Sequence, residues 1–518
     1  MLLLWIVTAI TNVVFGAEPE VLTSKGFLKG ASLTSRDGRD YYAFTGVPYA
    51  KPPLDNLRFR EPQSTDSWSG IFDARKPSPA CLQNSGANNF VGQEDCLYLN
   101  VYTPKLNSSL PVLFYVHGGG WSFGGSGPAH MPRYFMDEDV VIVMINYRLG
   151  PLGFLSTEDD ILPGNMGLKD MALALKWTKD EIKNFGGDPG LITAFGFSTG
   201  AASVHYLCSV PKTRELLKGC ISQSGVGGSH FSLRKPGFAK KATEVIAGVV
   251  GCPTEILVPC LQSKSAEKIT AAEKHLRFWI GEPLVVFGPL LEPPGNSSLL
   301  TNWPVNDSEF PWLMGICGDE GAGKAAALIL NGNDSIFNDF TEHQQEYIKR
   351  MMNIENKDDV QKVIDRFFKN DVISGIHKLY SEGYSTYPLL KGAQEHIGPK
   401  YFYVFNYKSG PSMSEYRAKR KLNITGIEHG EDNKYYFDIS HMYNPKDWPK
   451  EEDISLSKKL IKLLVHFAKY QTPNQKGFHP EWHMFGHQGH YLEIANNGFM
   501  MKKFKKMREI LNFWKHIK

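Results

Sequence analysis

The sequence predicts an α/β protein: a central, mostly parallel sheet with helices on both faces and a helical cap region. Three observations lead there. Apolar runs such as "LPVLFYV" and "VVIVMI" carry almost no polar residue, as strands covered on both faces do. Between such runs the period turns helical: Leu168, Met171, Ala172, Leu175 and Ile182 fall on one face between Gly164 and Phe185. And "LITAFGFSTGAASVHYLCS" reads as a strand, Leu191 to Phe197, that turns sharply into a helix at Thr199. Later strands are expected at Leu313 to Gly318 and Tyr401 to Tyr407, with residues 330–395 helical and set beside the sheet as a cap. The basic run "MKKFKKMREILNFWKHIK" has aromatic and aliphatic residues at helical spacing, so a helix with a solvated face is expected from Met501 onward.

The 518 residues are 42% apolar and 21% charged, with a formal charge of +3, so neither nucleic acid nor an anionic membrane is implied as a partner. Leu2 to Phe15 form an apolar run followed by Gly16 and Ala17, read as a cleaved signal peptide, residues 1–16. It is shorter than the roughly 20 residues a bilayer-spanning helix needs. Residues 17–518 are then expected to form one domain with no membrane span. Sequons at Asn107, Asn296, Asn306, Asn333 and Asn423 agree with a secreted glycoprotein, and the final "KHIK" is not a retrieval signal. Seven cysteines leave at least one thiol unpaired, and spacing alone does not give the pairing. Cys252 and Cys260, in a short Gly/Pro-containing segment, are candidates for a local bridge. No spacing matches a zinc site, so no metal and no cofactor is expected.

The chemistry centres on Gly196-Phe197-Ser198-Thr199-Gly200, a G-x-S-x-G pattern. Alone it fits a structural turn as well as a nucleophile. Its place between a strand and a helix is the context a nucleophile elbow requires, with glycines where side chains would clash. A second element, "HGGG" at residues 117–120, also follows a strand. The amides of Gly119 and Gly120, with that of Thr199 after the serine, are candidates for an oxyanion hole. A serine hydroxyl needs a base and an orienting acid at neutral pH. In chain order serine, acid, histidine, Asp319 and Glu320 of "GDEG" follow a strand, and His429 lies in the Gly-flanked "GIEHGED". Sixteen histidines leave the base undecided on these grounds alone.

Ordered motifs make the reading specific. "FTGVPYAKPP" with "LRFREP", "EDCLYLNVYTP", "HGGGW", "NYRLGPLGFLS", "GNMGLKD", "NFGGDP", "SQSG" and "FAKYQTPN" resemble the type-B carboxylesterase/cholinesterase family over nearly the full mature length. "GLKDMALALKW" and "SVHYL" look closest to its insect-type general carboxylesterases. The resemblance implies an α/β-hydrolase fold, Ser198 as nucleophile, Glu320 as acid and His429 as base. It also implies disulfides Cys81–Cys96 and Cys252–Cys260 and an ion pair between Arg58 and Glu94. Cys208, Cys220 and Cys317 match no family disulfide and are expected as buried free thiols.

Acyl transfer from a small-molecule ester follows, with xenobiotic, odorant or lipid-like esters as substrates. The choline-ester members carry a tryptophan shortly before "EDCL", and "SGANNFVGQEDCL" has none, so the cation–π platform is missing. A juvenile-hormone-type esterase is the enzymatic alternative, although those usually carry Gln where this chain has Phe197. Two further readings are a non-catalytic adhesion protein, which usually lacks a triad residue, and an esterase that acylates quickly but deacylates slowly and so sequesters esters.

Overall fold

The computed structural model describes residues 18–86, 89–127, 130–303, 309–422, 426–439, 443–444 and 446–517. Residues 1–16, expected as a leader, and the sequons at Asn306 and Asn423 lie outside them. Among the described residues, eleven strands make the main sheet. The first three are β1 (Ala31–Thr34), β2 (Asp40–Pro48) and β3 (Tyr98–Thr103). Then come β4 (Leu110–Val116), β5 (Val141–Ile145), β6 (Gly187–Phe197) and β7 (Gly219–Gln223). The last four are β8 (Trp312–Cys317), β9 (Lys400–Phe405), β10 (His490–Ala495) and β11 (Gly498–Lys503).

In space the order is β11-β10-β9-β8-β7-β6-β4-β5-β3-β2-β1. Every neighbour from β10 to β5 pairs in parallel. The flanking pairs are antiparallel. The chain leaves β4 for β5 on one side and later returns to β6 on the other. The order therefore reverses between β4 and β6, the crevice where open α/β sheets bind ligands at their strands' C-terminal ends. Val116 ends β4 directly beside Gly196 of β6. This register sets "HGGG" and "GFSTG" next to one another.

The apolar runs are continuous because both faces are covered. Val112, Phe114 and Val116 join one core with Leu168, Met171 and Leu175 of α1 (Met166–Glu181) and Ala202 and Val204 of α2 (Thr199–Ser209). Leu113 and Tyr115 point the other way, into a second core with Leu460, Leu464 and Phe467. The cap expected over 330–395 is helical. It includes α4 (Val372–Leu379) and, with α3 (Ala322–Asn331) leading into it, has its own core around Phe340, Met352, Val363 and Trp514. Leu460, Leu464 and Phe467 belong to α5 (Glu451–Tyr470).

One expectation needs correction. The C-terminal run is not helical from Met501: Met501–Lys503 complete β11, and the last helix, α6, spans only Met507–Lys515. Ala495 pairs with Gly498 across a two-residue turn, a tight hairpin. Phe499 and Met501 pack against the sheet's core at period two, while Lys502 and Lys503 stay outside it. The Asn496-Asn497 turn, with Gly498 after it at φ 103°, outweighs the helical spacing of the aromatics further on.

Both disulfides, Cys81–Cys96 and Cys252–Cys260, are formed, and Cys208, Cys220 and Cys317 are free and buried. Arg58 meets Glu94 with two hydrogen bonds, of 2.6 and 2.5 Å, and donates to the carbonyls of Leu261, Gln262 and Lys264. It ties the loop between the first pair of cysteines to the segment after Cys260. Among the described residues, no single helix is long and apolar enough to cross a membrane.

Candidate active site

Ser198 stands between β6 and α2 with φ 57° and ψ −124°, a conformation that costs a non-glycine residue about 1–3 kcal/mol. Packing imposes it. A Cβ on Gly196 would lie 2.4 Å from the Gly200 carbonyl oxygen, and one on Gly200 would lie 2.2 Å from that of Val116. Strand and helix approach so closely only because both positions are glycine, and the sharp turn lifts the serine off the sheet. Its amide donates to Gln223 O of β7 at 2.7 Å, and its carbonyl accepts from Ala202 N at 3.1 Å.

The glycine loop closes over this turn. A Cβ on Gly118 would sit 2.9 Å from Ser198 Cβ, and one on Gly119 would overlap Phe123 O at 1.9 Å. Gly119 and Gly120 have φ of 113° and 63°. Trp121 pins the loop to α2: its amide donates to Thr199 Oγ1 at 3.4 Å and its indole N–H to Ser203 Oγ at 2.9 Å. The Thr199 hydroxyl therefore has a structural partner. His117 is no competing base. It is buried, its Nδ1 donates to Gly118 O at 2.8 Å, and its ring stacks on Tyr147. Burial pushes it down to about 4, so it is neutral at physiological pH.

His429 comes from the loop after β9 and points Nε2 at Ser198 Oγ, 2.9 Å away. Its other nitrogen, Nδ1, meets Glu320 Oε2. The Glu320 side chain is only 2% accessible, and its second oxygen accepts from Ser224 Oγ at 2.6 Å and Cys317 N at 2.7 Å. Asp319 turns away, to His377 Nε2 at 2.6 Å and Ser381 Oγ at 3.0 Å. Of the two adjacent carboxylates, Glu320 is the one that reaches the histidine.

Burial works against a charged His429, but the Glu320 carboxylate and its hydrogen bond, with the charges of Asp432 and Glu428, outweigh it. The ring therefore titrates above the ordinary value of 6.5. Asp432 is itself buried, which raises it to about 6, while Tyr403 and Gln223 donate to its Oδ2. Serine, imidazole and carboxylate in this order can pass a proton from Oγ to Nε2 while holding the Nδ1–H tautomer.

Ser224 and Asp432 escaped the sequence reading. Ser224 follows β7, which lies between the elbow strand β6 and the acid strand β8, so the strand order is the signal that finds it. Asp432 sits three residues after His429, one helical turn on, in a segment otherwise read only as a loop.

The residues of this site lie within a recognisable whole. The pattern of the Carboxylesterase family matches residues 17–514. The chain belongs to the carboxylesterase family. Among curated relatives of this esterase, Esterase FE4 of Myzus persicae is 35% identical over 485 residues, 88% of this chain and 85% of that protein. Venom carboxylesterase-6 of Apis mellifera is 32% identical over 96% of this chain and 94% of its own. The crystal structure of juvenile hormone esterase from Manduca sexta, with OTFP covalently attached, superimposes with a TM-score of 0.86. It shares 27% identity and covers 96% of this chain and 99% of that one. The carboxylesterase is thus a carboxylic ester hydrolase with the α/β-hydrolase fold. Among its described residues no group of three or more His, Cys, Asp or Glu is placed to hold a metal ion.

Phe197 stands beside the histidine. Its ring lies 4.9 Å from that of His429, tilted by 35°, and presents no charge to it. A carboxylate at that position would stabilise the imidazolium and raise the histidine further. Because a base must be neutral to act, Phe197→Glu is expected to shift the acidic limb of the kcat/KM profile upward. The measurement is that limb on one neutral ester at fixed salt, for both proteins. A limb that stays in place or moves down would show that position 197 does not act on His429.

Proposed function

We propose that this carboxylesterase hydrolyses uncharged, apolar carboxylic esters by two-step acyl transfer through Ser198. The observation that carries the reading is the pair of contacts made by His429, Nε2 to Ser198 Oγ at 2.9 Å and Nδ1 to Glu320. His429 takes the serine proton as Oγ attacks the ester carbonyl. The amides of Gly119, Gly120 and Thr199 receive the negative charge of the tetrahedral intermediate; one such donor is worth about 3–4 kcal/mol of barrier. Glu320 holds the imidazole tautomer and stabilises the imidazolium. The alcohol departs with the proton from His429, and water, deprotonated by the same ring, releases the acid.

Apolar substrates follow from what surrounds these groups. Phe197 faces His429. Phe123 and Leu284, next to Gly119 and Gly120, are 59% and 46% exposed. No tryptophan lies in the segment before "EDCL" to hold a cation. Xenobiotic, odorant or lipid-like esters fit. The likeness to juvenile hormone esterase supports a juvenile-hormone-type esterase as the second reading.

Residues 1–16 act as a secretion leader and 17–518 form one catalytic domain. The exposed sequons Asn107, Asn296 and Asn333 are glycan sites of the secreted enzyme, and Asn306 and Asn423 complete the set.

A hydrolysis panel varying acyl and alcohol length, with stopped-flow p-nitrophenyl acetate, tests the proposal. Sustained turnover after a one-equivalent burst, and no advantage of a choline ester over its neutral isostere, is the expected result. A burst with negligible turnover would instead make the protein an ester sequestrant. A large preference for the cation would overturn the apolar reading.

A further inference from the structure

Glu320 is held not only by Ser224 and Cys317. The residues on either side of it, Asp319 and Gly321, are gripped from outside the sheet by one short stretch of the cap. Ser381 Oγ donates to Asp319 Oδ1 at 3.0 Å and accepts from Gly321 N at 2.9 Å. One hydroxyl thus bridges both neighbours of the acid. His377 Nε2 meets the same Asp319 oxygen at 2.6 Å, and a Cβ on Gly321 would lie 2.0 Å from His377 O. Glycine is needed there because α4 presses its backbone onto the acid loop.

The gripping stretch is itself unusual and well anchored. Tyr380–Thr386 form a π-helical turn, a wide-pitch conformation found mostly as single turns at functional sites. Tyr380 OH donates to buried Glu282 at 2.5 Å, and Lys324, on the helix after Glu320, pairs with the same carboxylate. Glu382 receives Arg366 and the Trp514 indole. Thr386 Oγ1 closes the turn on Ser381 O at 2.8 Å. On the far side, Asp319 N donates to Ile427 O at 3.0 Å, two residues before His429.

We propose that Ser381, with His377, is a positioning residue for the esterase reaction, setting the Glu320 carboxylate against His429 by clamping Asp319 and Gly321. It touches neither substrate nor the reacting atoms and acts through Glu320. The inference rests on the proposed role of Glu320 as the acid. A displacement of about 1 Å in a catalytic group can cost up to a hundredfold in rate, so even partial release of the clamp is measurable.

The test is a cycle on the full-length enzyme, with active sites titrated by fluorophosphonate so that rates refer to folded protein. Ser381→Ala is expected to lower kcat about tenfold at nearly constant KM, and Ser381→Thr, which keeps the hydroxyl, to restore most of it. In the Glu320→Gln background Ser381→Ala should add no further loss, because groups that act as a unit are non-additive. His377→Leu should follow the same pattern, which keeps the proposal testable if Ser381→Ala folds poorly. A loss that persists undiminished in the Glu320→Gln background, or a Ser381→Ala enzyme with unchanged kcat, overturns the clamp. If Glu320→Gln alone keeps full activity, the acid assignment fails instead, and that result is read before any Ser381 variant is made.

Discussion

Ser198→Ala is expected to lower turnover of p-nitrophenyl esters by a factor on the order of 10⁶ and to abolish covalent labelling by a fluorophosphonate. Neither Ser224 nor Ser203 is placed to substitute. Ser224 is buried and committed to Glu320, and Ser203 is buried between Trp121 and the Thr199 carbonyl. What remains is the stabilisation a glycine loop and binding give without a nucleophile, about 10³–10⁴ over water. The elbow adds a second, independent expectation. Ser198 holds φ 57°, which glycine adopts without the penalty, so Ser198→Gly should be equally inactive yet more stable by about 1–3 kcal/mol. A thermal melt of both variants beside wild type reads this. Labelling of Ser198→Ala at the wild-type rate would place the nucleophile elsewhere.

The parts of the fold set by local pattern were readable in the sequence. Strand β4 could be seen because Val112 to Val116 face a core on both sides and tolerate no polar residue. The cap could be seen because residues 330–395 carry helical spacing over several turns. The β10–β11 hairpin could not, because Met500-Met501 and the lysines after them suit either period, and the deciding signal was one short turn. Within the site, Ser198 and the glycine loop announce themselves, since steric crowding restricts those positions to a small set of residues. The choice between Asp319 and Glu320 is different. They are adjacent and both are acids at a strand end; apart from the family resemblance, which favours Glu320, only the direction each side chain takes separates them. Ser224 is further from view: it stands 96 residues from Glu320 in the chain, and only the strand order β6-β7-β8 brings them together.

That separation gives the second large effect. Glu320→Gln is expected to lower kcat by about 10⁴-fold, while Asp319→Asn costs about tenfold or less. Hydrogen-bond donors decide the difference. The Glu320 oxygen away from the histidine accepts from Cys317 N and Ser224 Oγ, and the backbone N–H is always a donor. Glutamine must therefore keep its oxygen on that side and turn its NH₂ toward His429 Nδ1. An NH₂ there donates, which makes Nδ1 the acceptor and places the ring proton on Nε2, facing Ser198. In that tautomer the imidazole cannot take the serine proton. Asparagine at 319 still offers an oxygen to His377 and Ser381, so little changes at the acid. The pH profile provides a sign to check. Glu320 raises His429, so its neutralisation should move the acidic limb of any residual kcat/KM downward, opposite to Phe197→Glu. Greater damage in Asp319→Asn than in Glu320→Gln, with both proteins folded, would mean that the wrong carboxylate has been paired with His429.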